Sequence, residues 1–339
     1  FDDVVEPILG SSFPALRYTA ALIGPGSDVL GFDTPMSMDH GWGPRVQVFL
    51  APSDHRSLAL VVREELGRRL PTRFRGHATR FALPSSGRDD DHHVDVHTIS
   101  DFCTRYLGVD VEGVLRPADW LLVPQQRLRS FVGGRVFRDD LDLASLRERL
   151  SWYPHDVWLY VLASAWSRIG EDEHLCGRAG HVGDEVGSGI VAARLVRDVM
   201  RLAFLMERRY APYAKWFGTA FRELQSAEAL HGGLADVLAA PTWTRREAAL
   251  VPAYEYLARM HNDLDLTEPV DAHARAFHDR PFRVIGGERF AEALKRAMRD
   301  DEVRRLAGRR LLGNIDFVTD NTDLLEDPAR IACLRHLYE

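Results

Sequence analysis

The fold is decided by residues 24–43, which read Gly-Pro-Gly-Ser-Asp-Val-Leu-Gly-Phe-Asp-Thr-Pro-Met-Ser-Met-Asp-His-Gly-Trp-Gly. Three glycines within the first eight positions allow the backbone to approach a ligand closely and to adopt positive φ angles. Ser27 adds a hydroxyl group, and consecutive N–H groups in such a turn form a concave site for phosphate oxygens. Acidic residues follow at Asp33 and Asp39. Amides that hold phosphate, next to carboxylates that bind a metal ion, are the parts that a nucleotide-transfer site requires.

Apolar segments on both sides of this stretch predict the elements that hold it. Residues 2–10 predict an amphipathic helix, and residues 16–23 continue into the turn as a helix or a strand. After the turn, residues 46–50 predict a buried strand, and residues 55–69 predict a helix. We expect this second helix to face the sheet with Leu58, Leu60, Val61, Val62 and Leu66.

Asp95 lies in the second strand of a predicted hairpin, whose strands are residues 79–83 and 93–99. Val94 and Val96 flank it. An acid between apolar neighbours on a strand either faces a site or lies on the solvent side of an edge strand. The pattern alone leaves both interpretations open.

The second half of the chain changes to a helical pattern. The longest predicted helix covers residues 184–209. Its broad apolar face, which includes Val186 and Ile190, is typical of a bundle core. The sequence therefore predicts an α+β protein, with a small mixed-sheet domain over residues 1–150 and a helical-bundle domain over residues 151–339.

The opening stretch resembles the signature of the nucleotidyltransferase superfamily, which includes the DNA polymerase β type and the aminoglycoside nucleotidyltransferases. That signature has Gly-Ser, a short spacer, Gly, and then Ser-Asp-x-Asp on the next strand. Gly26, Ser27, Gly31 and Ser37 match it here. The resemblance implies a nucleotidyltransferase domain in which Gly26 and Ser27 hold nucleotide phosphates and Asp95 is the third metal-binding carboxylate.

Most of the chain also resembles the DUF4037 proteins, an uncharacterised bacterial family. This resemblance rests on residues 26–33 (Gly-Ser-Asp-Val-Leu-Gly-Phe-Asp), 39–45 (Asp-His-Gly-Trp-Gly-Pro-Arg) and 211–218 (Ala-Pro-Tyr-Ala-Lys-Trp-Phe-Gly). The likeness to the wider superfamily covers only the first part of the chain.

The sequence departs from the superfamily signature at its acids. The signature places them at positions 38 and 40, where this chain has Met38 and His40, with Asp39 between them. Because side chains alternate along a strand, Asp39 would point away from the face that its neighbours share. Our interpretation is a β-bulge that turns Asp39 inward. The alternatives are a metal ligand at His40, replacement by Asp33, or loss of catalysis.

Four residues of the helical half are further candidates for the site. Lys215 lies at a predicted helix start, where a bound anion would offset its unfavourable position in the helix dipole. In the related antibiotic-modifying enzymes a lysine of the helical domain contacts the triphosphate, and we expect the same of Lys215. Arg201 or Arg194 would reach the substrate, and Glu185 is a candidate general base. Structural alternatives are a lysine stacked on an aromatic ring, arginines on a solvated helix face, and an acid that favours the helix dipole.

Composition argues against several classes of function. The chain has 43 basic and 50 acidic residues and a formal net charge of -7, so no global basic field indicates a nucleic-acid partner. The three cysteines lack the spacing of a zinc site or a disulfide framework. Neither a long apolar run nor a signal peptide is recognisable. We therefore expect a cytoplasmic protein with reduced thiols and no membrane partner.

Together these observations predict a metal-dependent nucleotidyltransferase. We expect it to move a nucleotidyl group from a nucleoside triphosphate, with ATP as the expected donor, to a hydroxyl or similar group of a small molecule. Asp39 and Asp95, with Asp33 as a further ligand, would hold Mg²⁺ or Mn²⁺. The alternatives are a protein that binds nucleotide without turnover, and a transferase that acts on tRNA or on protein. The sequence identifies neither the acceptor nor the oligomeric state.

Overall fold

The chain folds as an α+β protein, as the sequence predicts. A computed structural model describes residues 1–39, 42–83 and 88–339, with side chains except at 38–39, 81–83 and 88–90. A small mixed sheet comes from the first half of the chain, and the second half is mainly helical.

The elements of the first half are α1 Val5–Ser12, β1 Tyr18–Leu22, a 3₁₀ helix Pro35–Asp39, β2 Arg45–Leu50, α2 Pro52–Arg69, β3 Arg73–Phe74, β4 His77–Ala78, β5 Arg80–Leu83, β6 Arg88–His97, α3 Ile99–Leu107, α4 Pro117–Leu122, α5 Gln125–Val132, β7 Arg135–Asp139 and α6 Leu143–Arg149. The second half contains α7 His155–Asp172, α8 Leu175–His181, α9 Glu185–Met206, α10 Ala214–Phe221, α11 Ala227–Ala239, α12 Trp243–Asp263, β8 Arg275–Phe277, β9 Arg280–Val284, α13 Gly287–Ala297, α14 Asp301–Ala307, α15 Ile315–Val318, α16 Thr322–Leu325, α17 Pro328–Ala332 and a 3₁₀ helix Arg335–Tyr338.

These elements group into two compact units. The sheet unit contains Phe1–Leu115, Gln125–Ser151 and Asp327–Ala332, and the helical unit contains Arg116–Pro124, Trp152–Glu326 and Cys333–Glu339. The main change of unit thus falls after Ser151, while α4 belongs to the helical unit and α17 to the sheet unit. None of the helices in the described part of the chain combines the length and the apolar character needed to cross a bilayer.

The sheet unit is built on a mixed sheet whose described strands follow the order β5-β6-β2-β1-β7. Strand β1 is antiparallel to both β2 and β7, whereas β2 and β6 are parallel. The predicted strand after the turn and the predicted hairpin are confirmed as β2 and the β5–β6 pair. Because β1 and β2 are antiparallel, the end of β1 and the start of β2 lie at the same end of the sheet.

Apolar layers cover both faces of this sheet. On one face, Val48 and Val94 belong to a core that α1 and α2 complete. On the other face, the ring of Phe49 contacts Phe102 of α3 at 5.5 Å between centroids, and Phe102 contacts Phe131 of α5 at 6.4 Å. The sheet is therefore held between helices, and its open end carries the glycine-rich turn.

Helix α2 presents a narrower apolar face than expected. Val62 and Leu66 are fully buried, as predicted, but Leu60 and Val61 are 75% and 48% exposed. Residues four apart share one side of a helix, so Leu58, Val62 and Leu66 form the inward stripe. The prediction for Leu60 and Val61 is wrong because a continuous apolar run winds around the helix.

Helix α9 shows the same effect in the helical unit. Its inward side runs through Ser188, Ala192 and Leu195, all of which are buried. Val186 and Ile190 lie on the opposite side and are 76% and 67% exposed, so their predicted place in the bundle core is wrong. Ser188, a small polar residue, occupies the inward position in the first turns of this helix. The spacing of apolar residues therefore does not show which side of the helix is buried there.

A buried histidine makes the helical unit sensitive to acid. His261 of α12 is 1% exposed, and its Nδ1 accepts a hydrogen bond of 3.2 Å from the indole N–H of Trp166. Its Nε2 lies 3.1 Å from the hydroxyl of Thr267. Burial lowers the pKa of His261 to about 4. A proton on Nδ1 would also face the Trp166 N–H donor.

We expect wild-type protein to lose stability relative to His261→Asn as the pH falls from 7 to 4. The folded-state pKa of His261 lies below the unfolded value of about 6.5, so its contribution is complete above that pH and is lost on acidification. The loss should be on the order of 3 kcal/mol at pH 4. The asparagine keeps an acceptor for Trp166 but does not titrate. Urea unfolding at several pH values measures the difference between the two proteins, and a constant difference would contradict the assignment.

Candidate functional site

Residues 24–34 form a compact turn at the end of β1. The amide of Phe32 donates to the carbonyl of Ser27 at 3.0 Å, which closes the second half of the turn. The amide of Gly134, just before β7, donates to the carbonyl of Val29 at 3.0 Å. The turn is thus fixed both internally and by the neighbouring strand connection.

Arg45, the first residue of β2, holds the front of this turn. Its guanidinium pairs with the carboxylate of Asp28 and donates to the carbonyl of Pro25 at 2.9 Å. Gly26 lies directly against this ion pair with a φ of 138°. A Cβ atom at position 26 would overlap both the guanidinium of Arg45 and the carboxylate of Asp28. Only glycine fits here, for reasons of backbone conformation and of space.

Replacing Gly26 by Ala should therefore lower the free energy of unfolding by about 3 kcal/mol, because the new side chain meets both backbone strain and a steric overlap. Gly10 of α1 is the matched control, since a Cβ atom there meets nothing within 4 Å. Gly10→Ala should leave the protein unchanged or raise its stability by up to about 1 kcal/mol. Thermal unfolding measures both variants, and equal melting temperatures would contradict this description of the turn.

The turn offers backbone donors to a ligand. In the described part of the chain, no acceptor receives the amide hydrogens of Gly26 and Asp28. Amides in a turn of this kind bind anions such as phosphate. The structure is consistent with the expected role of the Gly26–Ser27 backbone, which stays a prediction.

Asp95 lies on β6 beside Gln47 of β2, in parallel register. Val94 and Val96 contribute to the core beneath α1 and α2, so Asp95 and Gln47 point to the other face. The buried side chain of Gln47 accepts a hydrogen bond of 3.1 Å from the amide of Ile23, the residue that precedes the turn. Because adjacent strands are about 4.8 Å apart, Asp95 lies roughly 10 Å from the start of the turn.

The carboxylate of Asp95 is accessible. Its side chain is 36% exposed, and one oxygen lies 3.8 Å from the guanidinium of Arg63 on α2, too far for a hydrogen bond. Arg63 also pairs with Asp91 of the same strand. His97 follows on the face of Asp95, and burial together with the guanidinium of Arg105 lowers the pKa of His97 to about 4. Asp95 therefore has a neutral histidine nearby and retains oxygens that a metal ion can bind.

The segment with the altered acids does not lie on a strand. Pro35–Asp39 form a 3₁₀ helix, and β2 begins only at Arg45. The amide of Thr34 donates to the hydroxyl of Ser37 at 3.1 Å, and this contact folds the segment locally. The interpretation of Asp39 as a strand residue turned inward by a bulge is therefore wrong. The side chain of Asp39 and all of His40 lie outside the described residues, so their roles as metal ligands stay predictions.

Asp33 lies in the turn and accepts a hydrogen bond of 3.4 Å from the indole N–H of Trp42. Among the residues whose side chains the structure describes, no group of three or more His, Cys, Asp or Glu residues is placed to hold a metal ion. Asp33 and Asp95 thus do not complete a three-ligand site with another described acid. A metal site with three protein ligands at this end of the sheet would have to include a side chain outside the described ones, such as that of Asp39 or His40.

Glu185, the candidate general base, is tied to a neighbouring helix of the helical unit. Its carboxylate lies 2.6 Å from the guanidinium of Arg246 on α12. Arg246 is 7% exposed and also donates to the hydroxyl of Ser188 at 3.0 Å. Asp184 caps α9 by accepting from the amide of Gly187 at 2.7 Å. These contacts give both acids a structural role, and catalysis by Glu185 stays a prediction.

Arg201 is also engaged within the helical unit. Its side chain is 15% exposed, and its guanidinium lies 5.2 Å from the ring centroid of Phe317 and 3.9 Å from Asp198. Burial lowers the pKa of Arg201. Arg194 pairs with the buried Asp172. A phosphate bound by Arg201 would compete with these contacts.

Lys215 is exposed at the start of α10, as the sequence predicts. Its ammonium lies 4.9 Å from the ring centroid of Trp216. Within the described residues no carboxylate pairs with it. Lys215 is thus positioned by a cation–π contact, and its charge is available to an anion.

Sequence reasoning missed two residues that shape the sheet end of the site. Arg45 belongs to the segment 39–45, which carries the DUF4037 resemblance, but its pairing with Asp28 depends on the geometry of the turn. Gln47 is one polar residue within an apolar strand, and that exception indicates a buried hydrogen bond. An isolated polar residue inside a buried strand is hydrogen-bonded as a rule, as Gln47 is to Ile23.

One family model matches part of the chain. The model of DUF4037, a domain of unknown function, matches residues 120–217. This match supports the DUF4037 resemblance and includes Glu185, Arg201 and Lys215, but it reaches neither the glycine-rich turn nor Asp95. The comparison with curated proteins gives no match, and neither does the comparison with solved structures.

Proposed function

We propose that this chain is a metal-dependent nucleotidyltransferase that moves a nucleotidyl group from a nucleoside triphosphate to a hydroxyl group of a small molecule. One observation carries the proposal. The Gly-Ser turn follows β1, β2 returns antiparallel to it, and parallel β6 places Asp95 on the face where Gln47 contacts the start of the turn. Amide groups without an acceptor among the described residues and an accessible carboxylate thus lie toward one end of one sheet, and this arrangement supports a site for phosphate and metal.

In this proposal the sheet unit binds the phosphates. The amides of Gly26 and Asp28 hold phosphate oxygens, and Arg45 keeps the turn in its binding conformation. Asp95 and Asp39 would hold Mg²⁺ or Mn²⁺, which when bound neutralises phosphate charge and activates the attacking oxygen. Asp33 is a further candidate ligand.

The remaining roles are proposed from the sequence for Lys215, Arg201 and Glu185. Lys215 stabilises the charge that develops on the leaving pyrophosphate, with Arg201 as a second candidate. Glu185 takes the proton of the acceptor hydroxyl, which requires it to exchange its pairing with Arg246 for a contact with substrate.

Release of pyrophosphate tests this function directly. Purified protein is incubated with Mg²⁺, each of the four common ribonucleoside triphosphates, and a library of hydroxyl-bearing metabolites that also contains bulk tRNA. We expect release that depends on both metal and one acceptor, and labelled nucleotide transferred to that acceptor. Nucleotide binding with no transfer to any member of the library would contradict the proposal. Transfer to tRNA alone would show that the acceptor is tRNA and not a small molecule.

Lys215→Ala should weaken triphosphate binding about tenfold, because it removes one charge-assisted contact to phosphate. Lys295 is the matched control, since it is the other lysine of the chain and pairs with Glu292 at 2.7 Å. Lys295→Ala should leave binding unchanged. Calorimetric titration with a non-hydrolysable ATP analogue and Mg²⁺ measures both variants, and equal affinities would remove Lys215 from the site.

Nucleotide binding without turnover is the second candidate function. It is favoured by the 3₁₀ conformation of Pro35–Asp39 and by the lack of a three-acid group among the residues with described side chains. A sensor of this kind would bind ATP equally well in EDTA and in Mg²⁺. A transferase would bind it more weakly in EDTA, so one titration distinguishes the two functions.

A further inference from the structure

A cavity of about 410 Å³ opens in the sheet unit, at the edge of its apolar core. Val46 and Val94 belong to that core, and further lining residues pack against its border. The apolar wall is formed by Val4, Val46, Leu70, Phe74, Val94 and Phe137. Small-molecule sites have volumes of this order and are lined mainly by apolar and aromatic side chains.

Four Asp and Arg side chains line the cavity, and three of them have ion-pair partners. Asp28 and Arg45 both line the cavity and pair with each other. Arg75 pairs with Asp3 at 3.0 Å. Asp33 also lines the cavity, and no cation among the described residues lies within ion-pairing distance of it. Asp33 is thus the one carboxylate of the wall that has no ion-pair partner among the described residues, and it lies beside an apolar floor.

Aromatic side chains orient this carboxylate. The indole N–H of Trp42 donates to Asp33 at 3.4 Å. The Trp42 ring meets His77 edge-on at 4.6 Å between centroids, which holds the indole in place. Both rings line the cavity together with Phe74. Aromatic faces beside a carboxylate favour a cation, because ring quadrupole and charge attract it together.

We propose that this cavity binds a small molecule with an apolar or aromatic body and a primary ammonium group that pairs with Asp33. The apolar body fills the space between Val46, Phe74 and Phe137, and the ammonium group lies at Trp42. This site goes beyond nucleotide transfer, since it takes a different class of ligand. It shares Asp33 and the turn residues Asp28 and Arg45 with the proposed function, so its test is made without nucleotide or metal.

Two matched probes test the proposal, phenylbutylamine and its uncharged isostere phenylbutanol. Binding is measured by isothermal titration calorimetry at physiological ionic strength without nucleotide or metal. We expect the amine to bind about tenfold more tightly than the alcohol, because a hydrogen bond to a charged partner contributes that much. Asp33→Asn should remove this advantage while the alcohol binds as before. Asp2→Asn, which removes an exposed acid outside the cavity wall, should retain it.

Equal affinity for amine and alcohol, no binding of either probe at millimolar concentration, or an unchanged amine affinity in Asp33→Asn would each overturn the proposal. Filling the cavity provides an independent measurement. Val46→Phe should abolish binding of both probes if they occupy the apolar floor, and retained binding in a folded Val46→Phe protein would place them elsewhere. All of these outcomes are read from probe binding in the absence of nucleotide and metal, whereas the proposed function is tested by pyrophosphate release from the wild-type protein, so failure of one proposal is distinguishable from failure of the other.

Discussion

Asp95→Asn is expected to lower metal-dependent pyrophosphate release on the order of a thousandfold, because a neutral amide binds Mg²⁺ poorly and the metal supplies several kcal/mol of transition-state stabilisation. Of the two acids proposed as the main metal ligands, Asp39 and Asp95, only Asp95 has a described side chain. The carboxylate of Asp95 lies 3.8 Å from the guanidinium of Arg63, a long distance for an ion pair, so replacing Asp95 disturbs no short ion pair. The fold should therefore survive, and the loss should appear in kcat rather than in melting temperature.

Asp91→Asn is the control for this experiment. Asp91 lies on the same strand and shares the partner Arg63, but it pairs with that guanidinium closely. We expect the Asp91→Asn variant to lose some stability and to retain activity within a few fold of wild type. This is the reverse of the result expected for Asp95→Asn. Excess Mn²⁺ should partly restore Asp95→Asn, since a higher metal concentration offsets a weaker ligand. Equal activity of Asp95→Asn and wild type would exclude Asp95 as a metal ligand.

Local pattern was sufficient to predict the sheet unit where burial and strand periodicity agree. Residues 46–50 are apolar except for Gln47 and are buried on both faces, as expected for a strand between two covered sides. Asp95 was placed on a strand by its flanking valines, and the register with Gln47 shows which face it takes. The sequence pattern did not show whether β2 and β6 pair in parallel or antiparallel, because their parallel pairing depends on the crossover through α2.

The segment around Asp39 shows where periodicity misleads. The signature places its acids on a strand, and the interpretation of Asp39 inherited that assumption. Pro35 fixes its own φ, and the Thr34–Ser37 hydrogen bond forms a tight local turn instead. A short-range side-chain contact thus overrides a strand that only the family resemblance suggested.

The helical unit shows a different limit. Glu185 was identified as the start of a helix, but its partner Arg246 lies on another helix far along the chain. Arg201 likewise contacts Phe317 through tertiary packing. Helix positions follow from local sequence, whereas the partner of a charged side chain depends on which helices are neighbours in space. That is why the structure gives these candidates contacts that the sequence did not indicate.

The largest stability effect is expected at Glu173, a carboxylate buried at the end of α7. It is 6% exposed and accepts hydrogen bonds from the amides of Ile285, Gly286 and Gly287, at the start of α13. Burial raises the pKa of Glu173 to about 7, although the three amides favour the charged form. Glu173→Ala should lower the free energy of unfolding by about 5 kcal/mol at pH 8, because it leaves buried amides without an acceptor.

Two variants make this expectation specific. Glu173→Gln keeps one acceptor oxygen but turns an amide N–H₂ toward backbone donors, so it should lie between alanine and wild type, at about 3 kcal/mol below wild type. Glu171→Ala removes an exposed acid from the same helix and should change stability by less than about 0.5 kcal/mol. Urea unfolding followed by tryptophan fluorescence measures all three. Only a carboxylate can accept hydrogen bonds from all three converging amides at once. If Glu173→Gln were as stable as wild type, the side chain at position 173 would stabilise the protein by filling volume and not by accepting these hydrogen bonds.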